Sequence, residues 1–382
     1  MLEKGQSYLT KVWQQLDWVL FFSIVPILAA GLITMNSFVG NNYFFDKQII
    51  SIGISMAIFF ILSLVDFRFL RRTSVIVTLF LVSCTILMVL FILGHVSKGA
   101  QSWFRFGSYA LEPGDPIKLI VILLLAKYFS RRHIEIANIR HIFVSGFYAL
   151  IIFLLIFLQP DFGSAIIIFC IWFGMVFASG ISKKHIMAVI LVGVILFGGA
   201  WFYVLKPYQK DRIVNFVHPL ANIRGSGYNA YQSTIAVGSG QIMGKGIGYG
   251  TQSRLNFLPE YQTDFIFAAF AEEWGFVGAM IIIILATIFI WRIFLNALDG
   301  ATNFEMLYGV GLAVFFASHF IINIGMNIGI LPVTGITVPF MSYGGTHLLT
   351  EFVGLGILMG MRRYRKVAGL TPGSSDIVGV GG

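Results

Sequence analysis

Long apolar runs, broken by short polar or basic turns, occupy most of this chain. The first covers residues 18–35, and others follow at about 48–65, 74–93, 116 to the S-R-R-H turn, 142–158, the stretch after Gln159–Ala165, a run ending near 205, 263–290, 304–323 and 346–361. Runs of this length match the hydrocarbon thickness of a bilayer when helical. The pattern predicts an all-α polytopic integral membrane protein with about ten transmembrane helices. It reads as a single membrane domain over 1–366, with a large extracytoplasmic loop at about 206–263 between helices 7 and 8, and a Gly/Ser-rich disordered cytoplasmic tail over 367–382. The opening residues, with Lys4, Tyr8, Lys11 and Trp13, read as a short interfacial helix, and the first apolar run as a retained span. A polar loop precedes Pro116. Residues 323–345 are too interrupted by Gly and Pro for one regular helix, and irregular backbone at membrane depth must be buried in protein or line a wet cavity.

Composition supports the same class. The chain of 382 residues is 57% hydrophobic and 11% charged, whereas a soluble domain carries roughly 25% charged residues. Its formal net charge of +9 fits cytoplasmic loops beside anionic headgroups rather than nucleic acid. Arg68, Arg71, Arg72, Lys127, Arg131, Arg132, Arg140, Lys183, Lys184, Arg292, Arg362, Arg363, Arg365 and Lys366 all fall at one face. The short opposite loops hold only Lys47, Lys98, Arg105 and Lys118. Both termini are therefore expected in the cytoplasm, with the protein in the cytoplasmic membrane. Cys84 and Cys170 sit inside apolar runs and read as small core residues. No internal repeat is evident, which weakens a transporter reading.

The chemistry concentrates at the face opposite the arginines, in polar clusters at 103–118, 159–161, 260–264 and 323–343. In the stretch 257–278, Thr263 is expected to cap a helix that Asp264 enters, with Glu272 and Glu273 deeper. Asp264 is either an acid favoured at a helix N-terminus or a functional group held at the membrane edge. Asp115 is expected to cap the helix starting at Pro116. It also lies i, i+3 from Lys118, which can meet a phosphate or neutralise a nearby acid. Glu112 reads as a loop residue. Arg105, among Trp103, Phe104 and Phe106, is an interfacial anchor or a phosphate contact. Asp161 is a helix cap or a site residue. The glycine-rich run 237–252 lacks the lysine-serine/threonine end of a phosphate-binding loop, leaving an anion contact or an irregular lid. His319 and His347 lack metal-ligand spacing and are expected to be structural.

These residues fall in motifs that closely resemble the SEDS family (shape, elongation, division and sporulation). They are G-A-Q-S-W, E-P-G-D-P-I-K, Q-P-D-F-G-S-A, the glycine run, L-P-E-Y-Q-T-D-F with E-E-W-G-F-V-G, and N-I-G-M-N through S-Y-G-G, all in order. S-R-L-N-F-L-P-E and I-L-P-V-T-G-I are more similar to the rod-shape branch, RodA, than to the division branch, FtsW. The resemblance implies a peptidoglycan glycosyltransferase that polymerises lipid II, an undecaprenyl-pyrophosphate-linked disaccharide peptide, outside the cytoplasmic membrane during elongation. It implies a class B penicillin-binding protein as transpeptidase partner, within the elongation machinery. Asp264 maps to the family's essential acid and would serve as general base. Lys118, Asp115, Arg105, Glu260, Asp161, Ser342 and Tyr343 would meet substrate. A divalent cation (Mg or Mn) is compatible with the pyrophosphate, with no protein metal cluster expected. The chain departs from the family in having Asp115 where a glutamate is usual, Ser102 where an arginine is often found before the tryptophan, and Thr346–His347 where small serines are common. The alternative is a lipid II flippase, which would need polar groups through the full bilayer depth. A scaffold that only recruits the partner is a third reading.

Overall fold

The computed structural model describes residues 16–37, 43–97, 100–106, 109–131, 140–220 and 222–367. The expected interfacial helix, the tail beyond 367, Lys98 and Arg132 lie outside the described residues, as do the side chains of Arg105, Arg363, Arg365 and Lys366. The helices are α1 (Trp18–Asn36), α2 (Tyr43–Leu64), α3 (Thr73–Leu93), α4 (Gly114–Ser130), α5 (Arg140–Leu158), α6 (Phe162–Ala178), α7 (Lys183–Tyr203), α8 (Pro207–Val217), α9 (Tyr228–Ser239), α10 (Thr251–Arg254), α11 (Ile266–Leu298), α12 (Asn303–Asn327) and α13 (Gly345–Val367). Seven of them, α1, α2, α3, α5, α7, α11 and α12, are long and apolar enough to cross a membrane. With α4, α6 and α13 they make the ten expected, so the chain is a multi-pass, all-α membrane protein.

Three features depart from the sequence reading. The polar loop before α4 folds as a small antiparallel sheet, β1 (His95–Ser97), β2 (Ala100–Phe106) and β3 (Tyr109–Leu111), in the order β1-β2-β3. It is tied to the body where Gln101 N–H donates to the Gln159 carbonyl at 3.0 Å. The segment 206–263 carries α8, α9 and α10, with Pro207 in the first turn of α8, where a missing N–H costs nothing. Finally, α11 is not continuous. Gly275 (φ 67°, ψ −165°) breaks it.

That break explains the glycine-rich run. A helix interrupted inside a membrane frees N–H and C=O groups that lipid cannot satisfy. Here residues 241–246 satisfy them. Phe276 N–H donates to Gln241 O (2.8 Å) and Val277 N–H to Ile242 O (3.1 Å). In return, Lys245 and Gly246 N–H donate to Glu272 O and Glu273 O, both at 3.0 Å. The two backbones approach so closely that a Cβ on Gly244 would lie 2.1 Å from Glu273 O, and one on Gly275 2.2 Å from Gly244 N. The Glu272 carboxylate accepts from Lys245 Nζ (2.7 Å), Thr251 N (2.8 Å) and Gln252 N (3.1 Å), while that of Glu273 accepts from Ser37 Oγ (2.5 Å) and Gly248 N (3.0 Å). Both acids are thus structural clamps, and the glycines serve backbone packing.

Through the middle of the molecule, α13 packs along α2, α11 against α1 and α12, and α12 against α4 and α6. Phe59, Phe289, Phe316, Phe340 and Phe352 stack at centroid distances of 4.8–6.1 Å. At one end of this layer, Arg292 clasps Asp17 at 2.6 Å and Arg71 clasps Glu305 at 2.5 Å. At the other lie the sheet, α8–α10 and the irregular segment between α12 and α13.

Candidate functional site

Asp264 sits on a turn rather than in the helix. Thr263 does not cap α11, which begins at Ile266 after Phe265. Instead Thr263 and Phe265 N–H both donate to Glu260 O, at 3.1 and 3.2 Å, with Glu260 in the left-handed region at φ 51°. Two asparagines one turn apart on α12 supply donors to the backbone of this turn. Asn323 Nδ2 reaches Asp264 O at 2.9 Å and Ile336 O at 2.5 Å, and Asn327 Nδ2 reaches Asp264 O at 3.1 Å. Both asparagines are fully buried, and Ser233 Oγ on α9 donates to the Asn327 carbonyl at 3.0 Å. Three irregular or loop-borne pieces of backbone therefore meet on one face of α12. The half-buried Asp264 carboxylate lies beside Gly335, which is exposed and at φ 76°; a Cβ there would stand 3.6 Å from Asp264 Oδ2.

The segment 328–344 continues the site. Ser342 Oγ donates to Thr263 O at 2.7 Å and accepts from Val338 N at 2.8 Å, so this buried hydroxyl splints the Asp264 turn. Tyr343 N–H donates to Gln262 O (2.9 Å), and its half-buried ring meets Phe44 edge-on at 4.9 Å. Phe340 adopts φ 62°, a costly conformation for a bulky residue. Its side chain is 1% exposed within the aromatic layer, and its N–H donates to Glu351 Oε2 at 3.0 Å. Packing and that hydrogen bond hold the strained residue in place.

A second, more deeply buried cluster lies behind this segment. Asp115 does not cap α4; Pro113 occupies that position, and Asp115 turns inward from the first turn. Its Oδ1 accepts from Lys118 Nζ at 2.8 Å, with both side chains less than 5% exposed. His347 Nδ1 approaches the same oxygen at 3.2 Å, and His347 Nε2 lies 3.0 Å from Glu351 Oε1, at an angle too poor for a directed hydrogen bond. The His319 ring stacks 4.8 Å from that of His347, with Nδ1 3.3 Å from Thr337 O. Asp161 does cap α6, accepting from Ser164 N at 3.0 Å, and its charge reaches Glu112 and Lys118. Glu112 is more than a loop residue. Burial, then the charges of Asp115 and Asp161, push its carboxyl well above the usual range.

The polar clusters expected to gather at one face divide in the structure into two groups, Asp115, Lys118 and Asp161 in one place and Glu260, Asp264, Ser342 and Tyr343 in another beside it. Within the first group Asp161 is half-buried, while Asp115 and Lys118 are enclosed, and Lys118 neutralises Asp115 rather than facing outward. Arg105 pairs through its backbone with Ala110. What the sequence reading missed were Glu351 and the role of His347. The signal was a histidine and a glutamate spaced i, i+4 inside an apolar run, where ionisable residues are functional suspects by default. Among the described residues no group of three or more His, Cys, Asp or Glu side chains is set to hold a metal. A divalent ion at Asp115 would have to displace both Lys118 and His347.

Comparison with known proteins agrees with this architecture. The family model described as cell cycle protein, FtsW/RodA/SpoVE, matches residues 9–367. Stage V sporulation protein E of Bacillus subtilis (strain 168) is 33% identical over 353 residues, covering 91% of this chain and 95% of that protein. Peptidoglycan glycosyltransferase MrdB of Escherichia coli (strain K12) is 36% identical over 293 residues, covering 76% and 78%. Among solved structures, a chain from work on structural coordination of polymerization and crosslinking by a peptidoglycan synthase complex superposes with a TM-score of 0.79 at 28% identity, covering 91% of this chain and 98% of that one. The rod shape determining protein RodA of Thermus thermophilus gives 0.69 at 26% identity, covering 91% and 97%. With the family model spanning nearly all of the helices described above, the chain belongs to the FtsW/RodA/SpoVE family.

Proposed function

We propose that the protein is a peptidoglycan glycosyltransferase that polymerises lipid II at the outer face of the cytoplasmic membrane, with both termini in the cytoplasm. The observation that carries the reading is the Asp264 turn: a carboxylate next to open backbone at Gly335, on a loop whose carbonyl is fixed by Asn323 and Asn327. A general base needs a fixed position and access to its substrate, and this arrangement supplies both. The sugar hydroxyl of one lipid-linked disaccharide gives its proton to Asp264. The oxygen attacks the anomeric carbon of the second, and the lipid pyrophosphate departs with inversion. Proton removal by a positioned carboxylate contributes about 10²–10⁴-fold. Glu260 and Tyr343 flank the acceptor side. Arg105 is the candidate for the pyrophosphate, and Lys118 with Asp115 underpins the segment rather than touching it.

The aromatic layer argues for chemistry at one end over passage across the bilayer. A flippase needs polar groups through the full bilayer depth, and beyond the polar cluster the core between the two ends includes the packed rings of Phe59, Phe289, Phe316 and Phe352. A role in elongation, and a class B penicillin-binding protein as partner, are part of this proposal, supported by the RodA-like motifs and by the likeness to the synthase-complex chain. The test is polymerisation of purified lipid II. Asp264→Asn should make no glycan above background while eluting and melting like the parent; glycan at the parental rate would refute the assignment.

A further inference from the structure

The buried cluster behind the Asp264 turn is not absorbed by the chemistry just described. Three carboxyl groups, those of Glu112, Asp115 and Asp161, share electrostatic contact with the ammonium of Lys118, and a fourth, that of Glu351, faces Asp115 and His347. Such an excess of anions is expensive away from water, and the cluster must bind protons to persist. His347 is placed to take one. Its two ring nitrogens face carboxylate oxygens on different partners, Asp115 Oδ1 at 3.2 Å and Glu351 Oε1 at 3.0 Å. A neutral imidazole carries one N–H and would turn a lone pair toward one of them, whereas imidazolium presents a positive edge to both, as an ion pair rather than a directed hydrogen bond on the Glu351 side. The other groups facing it are Lys118 on α4 and His319 with Phe315 on α12.

The connections leading away from His347 give the arrangement its meaning. On one side is the Lys118–Asp115 pair. On the other, Glu351 Oε2 holds the N–H of Phe340, and two residues on, Ser342 Oγ holds Thr263 O, the residue before Asp264. A chain of polar contacts thus runs from α4, through α13 and the strained Phe340, to the turn bearing the base. We propose that His347, as imidazolium, is a positioning residue that ties the Asp115–Lys118 pair to the Phe340–Ser342 turn and so holds Asp264 in its working position. This rests on the glycosyltransferase reading. Loss of the proton puts a lone pair against a carboxylate, repels Glu351 and loosens the N–H contact that keeps Phe340 in the left-handed region. The effect falls on kcat rather than on substrate affinity, because His347 lies behind the segment.

The test uses full-length protein in nanodiscs with purified lipid II, measuring initial polymerisation rates from pH 6 to 10 together with melting temperature. Wild type should lose kcat on the alkaline side. His347→Gln, which cannot be protonated, should lack that limb and have kcat lower by about tenfold with KM within about twofold, since small misplacements of a reacting group cost rate. His347→Lys, a cation that persists to higher pH, should restore most of the rate and carry the limb upward. A flat wild-type profile overturns the proposal. So does wild-type behaviour in His347→Gln, or a loss that His347→Lys fails to rescue while both variants remain monodisperse. If His347→Gln does not fold, the wild-type and His347→Lys profiles decide. Absence of polymer from wild type at every pH would instead remove the glycosyltransferase reading. The link is then read from melting temperature: it should fall for wild type over the alkaline range that leaves His347→Lys unchanged, and coincident curves overturn it.

Discussion

Asn323 and Asn327, both fully buried, hold the backbone of the Asp264 turn. Their amides donate to the Asp264 and Ile336 carbonyls, which stand on irregular backbone between helices. Asn323→Ala should take the donor from the Ile336 carbonyl and leave the Asp264 carbonyl to Asn327, and cost about 1–3 kcal/mol. The expected result is a lower melting temperature together with a fall in polymerisation rate, whereas the aspartate variant Asp264→Asn should lose rate alone. Glu112 makes a different single-residue case. Its carboxyl is pushed above its ordinary value of 4.5 by burial and by Asp115 and Asp161. The native state therefore keeps a proton that the unfolded chain releases. Stability from this group is fully present below the unfolded value and is lost as pH rises through the native one. Glu112→Gln keeps the neutral form at every pH. Its melting temperature should gain on wild type as pH rises above about 4.5 and level off once the native carboxyl has ionised. A difference that stays constant with pH would show that this carboxyl does not titrate as argued.

At the scale of elements, the lesson lies in α11 and the glycine-rich run. Apolar length made the spans legible: α1, α3 and α5 start and stop within two residues of the runs that announce them, because lipid tolerates few polar interruptions. The break at Gly275 was not legible. E-E-W-G-F reads as continuous helix, since one glycine inside a helix is tolerated, and only the partner backbone at 241–246 makes the break possible. Nor was the sheet at residues 95–111, whose two outer strands have three residues each and are specified by pairing rather than by pattern. The site divides the same way. Asp264, Asp115 and Lys118 could be found as charges at the ends of apolar runs. That Lys118 points into the protein, and that His347 and Glu351 come to meet Asp115, depends on which faces of α4 and α13 adjoin. The close approach also sets a prediction. Gly275→Ala adds a Cβ 2.2 Å from Gly244 N at a φ of 67°. Clash and backbone strain together should cost roughly 2–4 kcal/mol. Release of the 240–250 loop from α11 should appear as faster hydrogen exchange at Lys245 and Gly246, and unchanged protection there would contradict the clamp.

Across the whole molecule, the Asp17 latch and the proposed Asp264 site lie at opposite ends of α11. From Asp264 to Arg292 the path along α11 rises roughly 40 Å at helical spacing. At the far end Asp17, 5% exposed, accepts from Arg292 at 2.6 Å and from Asn296 at 2.7 Å, with Arg362 of α13 within 3.6 Å. At the near end Ser37, just past α1, binds Glu273 beside the kink. Thus α1 is fastened to α11 twice, and α13 joins at the Asp17 end. Burial pushes the Asp17 carboxyl up, but hydrogen bonds from Arg292, Leu20 and Asn296 outweigh it and hold the group below its ordinary value. A depressed acid contributes stability that is complete above the unfolded value and fades as pH falls through the native one, so at neutral pH the latch is fully engaged. Asp17→Asn leaves two guanidinium groups without their anion. Because Arg292 is 28% exposed and water can partly replace the carboxylate, the cost should fall below that of breaking a fully buried pair, at about 2–3 kcal/mol. The aromatic layer separates this end from the Asp264 turn, and a packed layer transmits little when one end loosens without changing register. Thermal unfolding between pH 6 and 8 should therefore show a lower, pH-insensitive melting temperature for Asp17→Asn. Polymerisation below that temperature should stay within about twofold of wild type, since distant sites without shared partners act independently. A large loss of kcat in folded Asp17→Asn protein would mean that the two ends are coupled through α11, and that the position of the base is set from across the membrane rather than by the asparagines beside it.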